Sequence, residues 1–176
     1  QFGKYIWGIV SQGDFGISYK TGKNVTSALL ERFPTTFVLA IATCVIAMVL
    51  GVLLGILAAN HQGTWIDSVL RVFGMAGVSM PIFWLGLLMI LWFAVDLKWF
   101  PVSGWYGPKY LVLPALTMGL TFTASLMRTT RSSMLDCIRQ DYVITARAKG
   151  QKERVITYHH VFRNALIPII TAAGSA

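Results

Sequence analysis

The sequence is short of charge. Only 12% of its 176 residues are Asp, Glu, Lys or Arg, about half the ~25% of a soluble chain, while 55% are hydrophobic. With a mean hydropathy of +0.62, this excludes a disordered tail or a collagenous chain and argues against an ordinary soluble enzyme. Acidic residues number seven, and none falls in the three longest uncharged stretches. Proton relays and intramembrane hydrolases carry ionisable groups inside the bilayer, so that absence argues against both. Cysteine is limited to Cys44, in an apolar run, and Cys137, in a basic connection. Two such distant thiols suggest no disulfide scaffold, redox pair or zinc site. A Ser/His/Asp set, an internal repeat and a low-complexity segment are also missing. No basic start followed by a short apolar core marks a signal peptide.

What is present is apolar length. Crossing ~30 Å of hydrocarbon takes about 20 apolar residues. Phe33 to Asn60 and Val72 to Val95 carry no charge, and Tyr110 to Met127 is a shorter uncharged run with Pro114 near its start. Residues 33–60, 72–95 and 110–127 are therefore expected to span a bilayer, and 164–176 reads as the start of a fourth span. The chain begins at Gln1 without Met and stops inside that last run, as a piece of a longer protein would. The expected fold class is all-α, a polytopic transmembrane helical protein.

Fifteen Lys and Arg against seven Asp and Glu give a net charge of +8. A basic balance can signal nucleic acid, but in an apolar chain it marks the cytoplasmic side of a membrane. Alternating sides put nine basic residues in 60–71 and 128–163 and six in 1–32 and 96–109, with eight of the nine in 128–163. That places 128–163 in the cytoplasm and the Gly-rich, polar segment 1–32 outside. Trp92, Trp99, Trp105 and Tyr106 near the opposite boundary suit an aromatic belt.

Three motifs admit both a functional and a plainer reading. Ala40, Cys44, Ala47, Gly51, Gly55 and Ala58 recur in steps of three and four, and Gly51-x-x-x-Gly55 permits close helix packing, the alternative being a face that lines a pathway. Ser79-Met80-Pro81-Ile82-Phe83-Trp84 places a proline in the second run. It either kinks a helix beside a cavity, with Ser79, Met80, Phe83 and Trp84 toward a substrate pathway, or simply begins the helix. In 128–163, Leu135, Ile138, Tyr142, Val143 and Ala146 share a helical face. Gly150 terminates that helix behind Lys149, and Val155, Ile156, His159 or His160, and Phe162 form a second amphipathic stretch. The loop is thus two short helices joined at Gly150. It either lies on anionic lipid or offers its Ala146-to-Gly150 corner to another protein. Gly16 to Lys23 fails as a phosphate loop, because five residues rather than four separate Gly16 from Gly22 and Asn24 replaces the magnesium-holding hydroxyl. His159-His160 lacks the i, i+4 spacing of helical ligands. No cofactor, metal site or catalytic residue is read.

Asp141 to Gly150 (DYVITARAKG), followed by His160 to Pro168 (HVFRNALIP), resembles the EAA loop of bacterial ABC-importer permeases, in the variant of the dipeptide/oligopeptide/nickel branch. Gly13 to Ser18, Pro81 to Gly86, Phe100 to Gly104 and Leu113 to Leu116 match the same branch in order. Ile144-Thr145-Ala146 stands where the wider superfamily has Glu-Ala-Ala, and His160 to Arg163 replaces its Ile-x-Leu-Pro element. The peptide-type branch tolerates both. The resemblance implies a type I importer transmembrane domain, lacking its first helix and one or more of its last, in a bacterial inner membrane. Asn24-Val25-Thr26, a glycosylation pattern, is there a chance match. The resemblance also implies that the loop docks on a cytoplasmic ATPase subunit through Asp141, Tyr142, Thr145, Ala146, Ala148, Lys149 and Gly150. Implied partners are those ATPase subunits, a second homologous permease and an extracytoplasmic solute-binding protein. Nucleic acid is not among them. The chain would be a transport subunit and not an enzyme. A non-transport membrane scaffold or a small channel is the alternative that composition alone leaves open.

Overall fold

The computed structural model describes residues 2–174, so Gln1 and the last two residues of the 164–176 run lie outside the described residues. The chain forms two compact units, residues 1–41 and 42–176. The first unit contains α1 (Phe2–Gln12) and the start of α2 (Val25–Asn60). The polar, Gly-rich segment 1–32 opens with an amphipathic helix whose Phe2, Trp7 and Val10 are exposed. The turn after it is held by side chains: the Asp14 carboxylate accepts from the Gly16 amide, and Thr26 Oγ1 donates to the Gly13 carbonyl. Asn24 Oδ1 accepts from the amides of Thr26 and Ser27, at 2.8 and 3.3 Å. That cap satisfies amides the first turn leaves free, so α2 starts eight residues before the uncharged run.

The second unit is built around α5 (Lys109–Ile138), which continues eleven residues beyond the expected limit at Met127. Along α2, Thr43, Ala47, Gly51, Gly55 and Ala58 are buried. Ala40 and Cys44 were expected on the same packing face and are exposed. The close approach is real at the glycines. A Cβ on Gly51 would stand 2.9 Å from Leu126 Cβ, and one on Gly55 would stand 2.5 Å from Thr130 Cβ and 2.9 Å from the Met127 carbonyl oxygen. Because backbone cannot step aside, Gly55→Ala is expected to destabilise the fold by about 1–3 kcal/mol. Thermal unfolding of the purified protein in detergent measures this, and an unchanged midpoint would contradict the packing.

The run 72–95 is not one helix. It belongs to α3 (Trp65–Ser79) and α4 (Ile82–Met89), the latter continuing as π-helix over Ile90–Asp96, and the two halves meet at 102°. Pro81 causes the break. The ring disfavours helical geometry in the residue before it, and Met80 is extended at φ −74°, ψ 126°. Pro81 is extended too and caps α4, which agrees with the reading in which proline begins a helix. Both halves pack on α5.

Beyond α5 come α6 (Asp141–Ala148), α7 (Glu153–Val155), a π-helical stretch Ile156–Phe162 and α8 (Arg163–Gly174). The expected first helix of the loop is thus two elements, the end of α5 and α6, separated at Arg139-Gln140, where Gln140 is extended. The expected second helix runs into the following apolar run without a stop.

Candidate functional site

The corner at Gly150 ends α6 with a closed set of hydrogen bonds. The Gly150 amide donates to the Arg147 carbonyl at 2.9 Å, and the Gln151 amide to the Ala146 carbonyl at 3.3 Å. This pairing needs a left-handed residue between helix and exit, and Gly150 has φ +75°. Two side-chain contacts brace the corner from outside. Arg147 donates from Nε and Nη2 to both Glu153 carboxylate oxygens, at 2.8 and 3.3 Å, and His160 Nε2 lies 2.8 Å from Gln151 Oε1. The hydrogen bond from Arg147 holds the Glu153 carboxyl below the usual carboxylate range.

The two faces of α6 differ. Val143 and Ala146 are buried in one apolar cluster with Ile56 of α2, Met134 and Leu135 of α5, and Ile169 of α8. Asp141, Ile144, Thr145 and Ala148 are exposed and follow the i, i+3, i+4, i+7 spacing of a single helical stripe. The stripe is short-sided apart from Ile144, and Thr145 Oγ1 is turned inward to the Asp141 carbonyl. Of the seven residues expected to dock, Asp141, Tyr142, Thr145, Ala148, Lys149 and Gly150 are exposed. Ala146 is not, and this corrects the expectation. It is 7% exposed and packs inward, where its small side chain lets α6 lie close against the bundle. Ile144, 58% exposed, was overlooked. An isoleucine among short polar and small neighbours was the available signal.

The other four expected residues gather at the bend. Ser79, Met80, Phe83 and Trp84, with Ala76 and Pro81, line one open cleft of about 490 Å³. All four are exposed.

An unanticipated feature lies between these regions. Asp67, in the first turn of α3, is 1% exposed. Its carboxylate accepts from Arg131 Nε at 2.7 Å and Nη2 at 2.8 Å, and from the Gly63 amide at 3.1 Å. Arg71 stands 3.8 Å away. This bidentate pair ties α3 to α5 a little over two turns before the Arg139-Gln140 break. Paired so, a buried carboxylate is tolerable.

Residues 51–176 match the family described as binding-protein-dependent transport system inner membrane component. The glutathione transport system permease protein GsiC of Escherichia coli (strain K12) is 39% identical over 174 residues, covering 99% of this chain and 56% of the relative. A Brucella abortus (strain 2308) protein, provisionally named as a peptide transport system permease, is 37% identical over 183 residues, covering 99% of this chain and 58% of the relative. The chain thus spans a little over half the length of these relatives. By this match over most of its length, the chain belongs to the binding-protein-dependent transport system inner membrane components.

Proposed function

We propose that this chain is part of the permease subunit of an ATP-driven importer for peptides or peptide-like solutes. In this reading 60–71 and 128–163 are cytoplasmic, 1–32 and 96–109 face outward, and α2, the α3–α4 pair and α5 cross the membrane. The observation that carries it is the two-sided α6: one side presents short side chains at a firmly stopped corner, and the other is rooted through Val143 and Ala146 in the apolar cluster of α2, α5 and α8. A helix so built transmits displacement. When a cytoplasmic ATPase subunit pushes on Asp141, Ile144, Thr145 and Ala148, the apolar cluster carries the movement into α2, α5 and α8. The peptide class follows the names of the two relatives. A second homologous permease completes the pathway, and an extracytoplasmic binding protein delivers the solute.

The cleft at the bend is the candidate pathway wall. Irregular backbone at membrane depth is tolerated only against protein or a water-filled cavity, and Met80-Pro81 is such a break. Ser79, Met80, Phe83 and Trp84 therefore face a pathway or a neighbouring subunit and not lipid tails.

Two variants of the full-length subunit test the coupling. With the native cysteines replaced by serine, Ala148→Cys is expected to react with a membrane-impermeant maleimide only from the cytosolic side. Ala148→Arg is expected to abolish co-purification of the ATPase subunit while the permease stays in the membrane. Labelling from outside the cell, or full ATPase recovery with Ala148→Arg, would overturn the proposal.

A further inference from the structure

We infer that the cleft between α2, α3 and α5 beside Asp67 holds the headgroup of an anionic phospholipid of the cytoplasmic leaflet. Its volume is about 540 Å³, within the ~300–1,000 Å³ of small-molecule sites. Three arginines line it, Arg71, Arg128 and Arg131, and only one carboxylate answers them. Asp67 is committed to Arg131 through two hydrogen bonds. Arg71 reaches the same carboxylate only at 3.8 Å and is half exposed. Arg128 is exposed and has no ion-pair partner among the described residues. Arg128, together with an Arg71 held only by that long contact and a 3.2 Å hydrogen bond to Ser68 Oγ, leaves excess positive charge facing a space between helices.

The order of residues along the walls decides the kind of anion. On α3, Ser68 and Arg71 come first and Met75 lies a turn deeper; on α5, which runs the other way, Met127 is deeper and Arg128 and Ser132 lie nearer the connection. Apolar lining (Leu70, Val72, Met75, Met127) thus stands beside the cationic and hydroxylic groups, with Met75 a turn further toward the middle of α3. A free phosphate has no use for the apolar half. A phospholipid matches both halves, and basic pockets between helices at the cytoplasmic boundary hold such headgroups. The inference rests on the orientation proposed above.

Native mass spectrometry of the full-length permease with its partner subunits tests it, after release from nanodiscs of phosphatidylethanolamine with or without phosphatidylglycerol. The wild-type complex is expected to retain phosphatidylglycerol. Arg71→Gln with Arg128→Gln should weaken that retention roughly 30-fold, and Lys at both positions should keep most of it. Arg128→Gln alone removes no ion pair of the fold and should weaken retention about fivefold. Equal retention of phosphatidylethanolamine, unaltered retention by the Gln variants, or a photocrosslinker at Met75 capturing the second permease in place of lipid would overturn it. Absence of the ATPase from the same spectra would count against the coupling proposal and leave the lipid measurement standing.

Discussion

Asp67→Ala is expected to lower stability by about 3–5 kcal/mol, the cost of stranding a buried ion-pair partner. The size follows from asymmetry. Asp67 is almost wholly buried and Arg131 about one-fifth exposed, so removing the carboxylate leaves a guanidinium with no anion in a poorly hydrated place. Arg71 offers no relief, being a second cation within reach of the same spot. Asp67 also accepts from the Gly63 amide, so the turn into α3 loosens with it. Arg131→Ala alone should be similarly harmful for the opposite reason, a carboxylate left behind. Removing both charges together, as in Asp67→Ala with Arg131→Ala, should cost clearly less than the two single losses added, because neither charge is then left buried without its partner. Thermal unfolding of the four proteins in detergent closes a double-mutant cycle. Additive effects would show that the pair does not hold α3 on α5.

That pair also shows what a sequence conceals. Asp67 and Arg131 are 64 residues apart, and nothing local in either neighbourhood announces a partner; both read as solvated connection charges. The helical spans were far more legible, since a long uncharged run has few alternatives. The packing face of α2 was visible for the same reason: spacing alone puts Ala47, Gly51, Gly55 and Ala58 on one side. It failed at Ala40, a turn before the first buried position, and at Cys44, because the buried stripe at that level runs through Thr43 and Ala47 instead. The start of α2 was not legible in the uncharged run from Phe33, because Val25 to Arg32 carries charge while the local cap at Asn24 sets the helix boundary. The break at Arg139-Gln140 lacks the glycine or proline that usually marks one. Ala146 is the most instructive residue. Its apolar spacing with Leu135, Ile138, Tyr142 and Val143 put it on the buried side, while the family motif put it at the docking surface; Ala146 is buried, whereas Tyr142 of the same set is exposed.

Gly150→Asp is expected to leave the protein folded and inserted while abolishing coupled uptake. No heavy atom lies within 4 Å of a Cβ built on Gly150, so the fold has room for the new side chain. Two modest penalties remain: about 1–2 kcal/mol for a left-handed residue other than glycine, less for Asp, and about 0.3–1 kcal/mol for an anion at the negative end of α6. Neither approaches the stability of a multi-helix bundle. At the surface, the balance differs. The carboxylate would stand beside Ala148, where short side chains let another backbone approach, and a desolvated charge without a partner there costs several kcal/mol. Gly150→Asn separates the causes, since Asn tolerates the same backbone and is uncharged. It is expected to retain most uptake, whereas a requirement for glycine's geometry alone would disable both variants equally. Uptake in cells, with membrane content measured in parallel, reads the difference. Wild-type transport by the Asp variant would remove this corner from the coupling route, and its absence from the membrane would place the residue in folding instead.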